Sequence, residues 1–231
     1  MAGIFGLFDF AIEPKPFVQV KQRKGAALFF QILIQNFWKL IELNLVFLLY
    51  CIPVVTIPAA YSAMICVLRD MTNQKPYFLW IDFWQAFKHN FTQSLCFGMI
   101  MSVLITAGYL GLFDHFSERW DAYFILIGGM ICTLVLILCL MCIYIPIMIV
   151  SVKQPLIRII QNAFRLAFIS LLRNLLVLAL NIIITFVLIL FFPYSLLFVL
   201  LLYFSTTGLV VSFIVWPVIM KYVIVEKIAV L

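Results

Sequence analysis

The chain has 231 residues, of which 67% are hydrophobic and 10% charged, with a formal net charge of +6 and a mean hydropathy of +1.22. A water-soluble domain of this size needs no such apolar excess, so soluble enzymes and soluble binding modules are excluded. The positive balance fits a multi-pass protein facing anionic inner-leaflet lipid and does not call for nucleic acid.

In chain order, residues 1–25 form a basic N-terminal segment without an apolar region ending in a small-residue cleavage site, so no cleaved leader is expected. Ala26–Leu68 then runs 43 residues with no Gly and only two charges, Lys39 and Glu42. A bilayer core takes roughly 20 helical residues, so this stretch is too long for one span. The Pro53–Pro58 break, a structural turn, divides it into a hairpin, because each proline removes a helix hydrogen bond and clashes with the preceding turn. The second arm is short: Val54–Leu68 reaches only about 22 Å as a helix. Further apolar runs follow, and the expected membrane elements are residues 26–52, 54–71, 93–112, 122–150, 175–192 and 195–222 of a single domain, 26–231. The expected fold is an all-α polytopic membrane protein of about six elements in three hairpins.

Orientation follows from the positive-inside rule. With six elements, thirteen of the fifteen basic residues lie on one side, Arg119 on the other and Lys39 within the first span; with five, they divide nine to six. Six elements with both termini cytoplasmic is the expected topology.

Between the second and third elements, Trp80, Phe83, Trp84, Phe87 and Phe91 fall at helical spacing, with Asp82, Gln85, Lys88 and His89 largely opposite. This pattern describes an amphipathic helix lying in the interface and offering a partner-docking surface. Ala86-Phe87-Lys88-x-x-Phe91 is echoed 77 residues later by Ala163-Phe164-Arg165-x-x-Phe168. Either the two form a parallel repeat, an interfacial helix feeding a transmembrane hairpin, or they share only what any basic aromatic helix entering a membrane shares.

The polar positions within spans carry open alternatives. Lys39 and Glu42 either pair across one turn or sit at headgroup depth. Asn181 with Thr185, and Ser205 with Thr206, either line a solute path or make helix contacts and kinks. The outer loop around Asp114 to Asp121 reads as a solvated turn. Six cysteines fall within spans, and Cys139 and Cys142, despite their redox-motif spacing, read as buried thiols. Histidines occur only at 89 and 115, and no zinc-protease helix motif, phosphate loop or nucleophile elbow is present. No catalytic, cofactor or metal site is expected.

Gly3–Phe10, Asn36–Asn44, Ile52–Pro58, Leu68-Arg69-Asp70, Asp82–Asn90 and Gln93-Ser94-Leu95 together resemble the YesL-like family of small bacterial membrane proteins, most specifically over residues 36–95. Many members carry Gly where this chain has Pro58. The family is a domain of unknown function and supplies no established site residues. The resemblance implies a bacterial plasma-membrane protein associated with carbohydrate uptake. On that basis, an accessory or assembly subunit of a sugar ABC importer is the leading expectation, with membrane lipid and importer subunits as partners. A stand-alone small-solute transporter or channel is the alternative, and an intramembrane enzyme the third reading.

Overall fold

The computed structural model describes residues 25–117, 122–152 and 154–225, which are helical and contain no strand. The expectations for residues 1–24, Arg119, Lys153 and Lys227 lie outside the described residues. Five helical stretches, Val54–Thr72, Leu79–Gly111, Ile127–Ser151, Leu171–Leu190 and Ser195–Val223, are long and apolar enough to cross a membrane. An additional bent pair at the start brings the number to six if it is one broken span. The chain is a polytopic all-α membrane protein.

That bent pair departs from the single element expected over residues 26–52. Helices α1 (Ala26–Gln35) and α2 (Phe37–Tyr50) meet at 74°. Asn36 sits at the bend; its amide donates to the Ile32 carbonyl at 3.0 Å, and its Oδ1 accepts from the Tyr77 hydroxyl at 2.9 Å. A side chain bonding its own preceding turn while held by a distant one stabilises a kink that hydropathy cannot register.

Helix α2 ends before Pro53. A single 3₁₀ turn, Val54–Thr56, leads into α3 (Ile57–Thr72) with Pro58 in its first turn, where a missing amide hydrogen costs nothing. The Thr56 hydroxyl bonds the Pro53 carbonyl at 2.6 Å and also the Tyr50 carbonyl that ends α2. Pro53 is exposed, whereas Pro58 packs on Gly98, where an added Cβ would lie 2.1 Å from the ring.

Helix α3 is the centre of the bundle, packed by α1, α2, α4, α5 and α9. Nine of its residues are buried, and its first two turns are rich in small ones: Ala59, Ala60, Ser62 and Ala63. It runs antiparallel to α4 (Leu79–Ser117), with Pro58 on Gly98 and the Ser94 hydroxyl on that of Ser62 at 3.0 Å. Beyond Gly98, α4 continues to Ser117 and pairs with α5 (Ala122–Ser151), Gly108 facing Val135 and Gly111 facing Ile131.

The expected separate interfacial helix before residue 93 is instead continuous with the following span. Helix α4 is 39 residues, about 58 Å at the standard rise, because no Pro or Gly interrupts it before Gly98. The second copy behaves differently. Pro155 starts α6 (Leu156–Ile169), which ends at Ser170 before α7 (Leu171–Leu190) begins. After α7 the chain returns through α8 (Ser195–Phe198), a π turn at Val199–Tyr203, α9 (Phe204–Ile219) and a final π turn, Met220–Val225.

The π turn frees backbone groups, and Asn44, fully buried on α2, takes them up. Its amide donates to the carbonyls of Leu200 at 2.7 Å and Val199 at 3.3 Å, and its Oδ1 accepts from the Ser205 N–H at 3.0 Å. In a water-free interior such groups need a protein partner.

Candidate functional site

Where α3 ends, Arg69 gathers three helices. Its guanidinium pairs with Asp70 at 3.0 Å, donates to the Val150 carbonyl at 3.1 Å and the Ser151 hydroxyl at 2.9 Å on α5, and lies 5.4 Å from the Trp216 ring on α9. A planar fork with five donors suits this multi-directional role. It fixes the orientation of Asp70, which lines a cavity of about 390 Å³ together with Cys66, Asp82, Gln85, His89, Asn90 and Val150.

That cavity is polar, and most of its groups are already engaged. Asp82 accepts the Phe78 N–H at 2.8 Å, capping the start of α4, and the Asn90 amide donates to the Ala86 carbonyl at 3.0 Å. Gln85 and His89, both exposed, present the remaining polar surface. Carboxylates so placed can orient a polar group, yet no hydroxyl or thiol nucleophile pairs with a base there, and no cluster of three His, Cys, Asp or Glu suited to a metal occurs among the described residues.

Gln85 and His89 also border a second, open concavity of about 790 Å³, formed by Tyr50, Trp80, Ile81, Phe83, Trp84 and Lys88. The aromatic residues of the docking helix divide here into two sets. Phe83 and Phe87 turn inward, their rings 5.2 and 5.0 Å from that of Tyr50 on α2, so they belong to the core instead of a free surface. Trp80 and Trp84 stay outside, 55% and 42% exposed, with Trp84 stacked on Phe87 and Lys88 Nζ 4.5 Å above the Trp84 ring. Phe91 is half-buried against Phe87. Sequence periodicity cannot separate these sets, since one continuous aromatic stripe serves both core and edge.

The second copy of the motif is placed differently. Phe164, Arg165 and Phe168 are exposed, and α6 buries Ile159, Ala163, Leu166 and Ala167 instead. Phe87 is 9% exposed and its counterpart Phe164 46%, so the two copies are not equivalent in packing.

The polar residues of the first helices are separately occupied. Lys39 lies over the Tyr77 ring at 4.7 Å and Glu42 accepts the Trp80 indole N–H at 2.6 Å; both are exposed, and they do not pair with each other. Asn181 bonds the Val177 carbonyl, and Thr185 meets the Tyr203 hydroxyl at 2.9 Å, joining α7 to the returning chain. Ser205 and Thr206 bond carbonyls one turn back. These groups make local ties and helix contacts. Asn44, Asp70, Asp82 and His89 were absent from the expected site residues; the signal available was their place in the stretches that carried the family resemblance.

A family model described as "Protein of unknown function, DUF624" matches residues 40–112, under half of the chain. The match runs from α2 to the C-terminal part of α4 and contains Asn44, Arg69, Asp70, Asp82, Trp84 and His89. This region is therefore similar to an uncharacterised domain family. No curated protein and no solved structure matches the chain.

Proposed function

We propose that this chain is a non-catalytic accessory or assembly subunit of a carbohydrate ABC importer in the bacterial plasma membrane, with both termini cytoplasmic. The observation that carries the reading is the exposed Trp80–Trp84–Lys88 edge over its open concavity, in the segment matched by the family model. Large aromatic side chains with a cation on top are the residue types that anchor interfaces. Buried Phe83 and Phe87 hold the edge rigid, which lowers the ordering cost of docking. The importer as partner, and the YesL-like kinship behind it, rest on the resemblance of the sequence.

The test is recovery of partners in mild detergent from the native host. Trp80→Ala with Trp84→Ala should lower recovery of permease and binding-protein subunits while the chain stays folded. Phe87→Ala serves as the control for destabilisation, since truncating a buried Phe costs about 3–5 kcal/mol. Unchanged recovery in the Trp double variant would reduce this edge to a membrane-surface element. For orientation, a cysteine introduced at Thr72 should resist an impermeant thiol reagent in intact cells and one at Ser117 should be labelled.

A small-solute transporter is the second reading, supported by the polar cavity of about 390 Å³ between α3 and α4. Uptake of labelled solute by proteoliposomes holding the chain alone would favour it.

A further inference from the structure

Between the bent helix α1 and the pair α7 and α9 runs a groove of about 520 Å³, walled by Phe30, Leu176, Leu180, Ile184, Val210 and Phe213 among others. Its one side-chain hydroxyl, that of Thr206, is tied to the Leu202 and Tyr203 carbonyls. A sugar or peptide would leave its polar groups unmatched there, whereas a hydrocarbon chain leaves none. Along α7 the wall extends from Leu176 to Ile184, about 12 Å at the helical rise.

The charge at one end selects the head of that chain. Arg173 is exposed and lies three residues before Leu176, on the stripe that continues through Leu180 and Ile184. The only ion pair among the described residues is Arg69 with Asp70, so Arg173 has no carboxylate partner there. From Ala122 to Val225 the sequence holds Lys153, Arg158, Arg165, Arg173 and Lys221 and no Asp or Glu, the next carboxylate being Glu226. An apolar slot beside an arginine that has no carboxylate partner among the described residues, at a span end, has the chemistry of an anionic lipid site.

We infer that the groove between α1, α7 and α9 holds one acyl chain of an anionic phospholipid, with its phosphate at the Arg173 end. Native mass spectrometry of the full chain, exchanged into nanodiscs of phosphatidylglycerol and phosphatidylcholine and released in mild detergent, should show one retained phosphatidylglycerol. Leu180→Trp, which fills the groove, should abolish retention. Arg173→Gln alters only an exposed side chain and should leave a lipid bound, with the preference for the anionic headgroup reduced about fivefold. Because the Trp variant can fail to fold, a photo-reactive amino acid at Leu180 gives an independent reading: cross-linking to phospholipid supports the site. Equal retention of both lipids by the unaltered chain, an unchanged preference in Arg173→Gln, or a cross-link to residues 1–24 or to a second copy would overturn it.

Discussion

The stretch that contains α3, Val54–Thr72, is the least apolar of the five of membrane-spanning length, with a mean hydropathy of 1.4, yet nine of the sixteen residues of α3 are buried. Helix α7, at 2.3, buries only Asn174 and Val177. In water the more apolar helix would be drawn inside. In a bilayer, lipid tails are as apolar as leucine, so apolarity does not sort helices between centre and rim; close backbone approach and interhelical hydrogen bonds do. Helix α3 has both, through its alanines, Pro58 on Gly98, Gly208 of α9 set against Leu68, Met64 and Ile65, and the Arg69 network at its end. The long leucine-rich face of α7 is what faces outward.

Substitutions at the close contacts of α3 should therefore cost much more than larger changes on α7. Gly98→Leu has the greatest expected effect. A Cβ there would stand 2.1 and 2.6 Å from the rigid ring of Pro58, so α3 and α4 must separate. Thermal unfolding in detergent should show a loss of about 3 kcal/mol or more, the upper range for overpacking. Unaltered melting would mean that these helices do not depend on this contact.

Asn44→Leu comes next. It keeps the branched shape and leaves the Val199 and Leu200 carbonyls and the Ser205 N–H without their partner, at about 1–3 kcal/mol for groups stranded in the interior. Faster amide exchange confined to residues 199–205 should accompany the lower melting point. If exchange rose throughout instead, Asn44 would act through general packing.

Gly208→Ala should cost less, about 1 kcal/mol, because its nearest neighbour is the far end of Leu68, 2.7 Å away, and a flexible side chain can turn aside. At the small end of the scale, Ile182→Ala on the exposed face of α7 should stay within about 0.5 kcal/mol of the parent. The lost methyl groups are exchanged for lipid and no cavity forms. A loss as large as that of Gly98→Leu would break the contrast between the two helices and place α7 in an unrecognised interface.

Parts of this arrangement were readable in the residues. The proline pair marked the break between α2 and α3 because two prolines five apart disfavour helix between them, whereas the single prolines Pro146 and Pro217 sit inside α5 and α9; the aromatic spacing of Trp80 to Phe91 marked a one-sided helix. The division of that stripe, with Phe83 and Phe87 inward and Trp80 and Trp84 outward, was not readable, since all four satisfy the same period. Nor was the bend at Asn36, which depends on Tyr77 arriving from 41 residues away. The motif copies at Ala86 and Ala163 looked alike because local sequence is alike; α4 runs on through its copy, and Pro155 and Ser170 bound the other.

By itself, then, the sequence determined the class: a composition too apolar for water, apolar runs of membrane length, and a closely spaced proline pair that breaks the first of them. These properties depend only on residue type and spacing, so they survive without coordinates. Which helix occupies the centre, which aromatics remain on the surface, and how Arg69, Asp70, Asp82 and His89 come to one end of α3 and α4 were decided by tertiary structure. The physical reason is that hydrocarbon is neutral among apolar faces, so the choice falls to contacts at single-atom scale, such as a glycine against a proline ring or an asparagine against three stranded backbone groups, between residues distant in the chain.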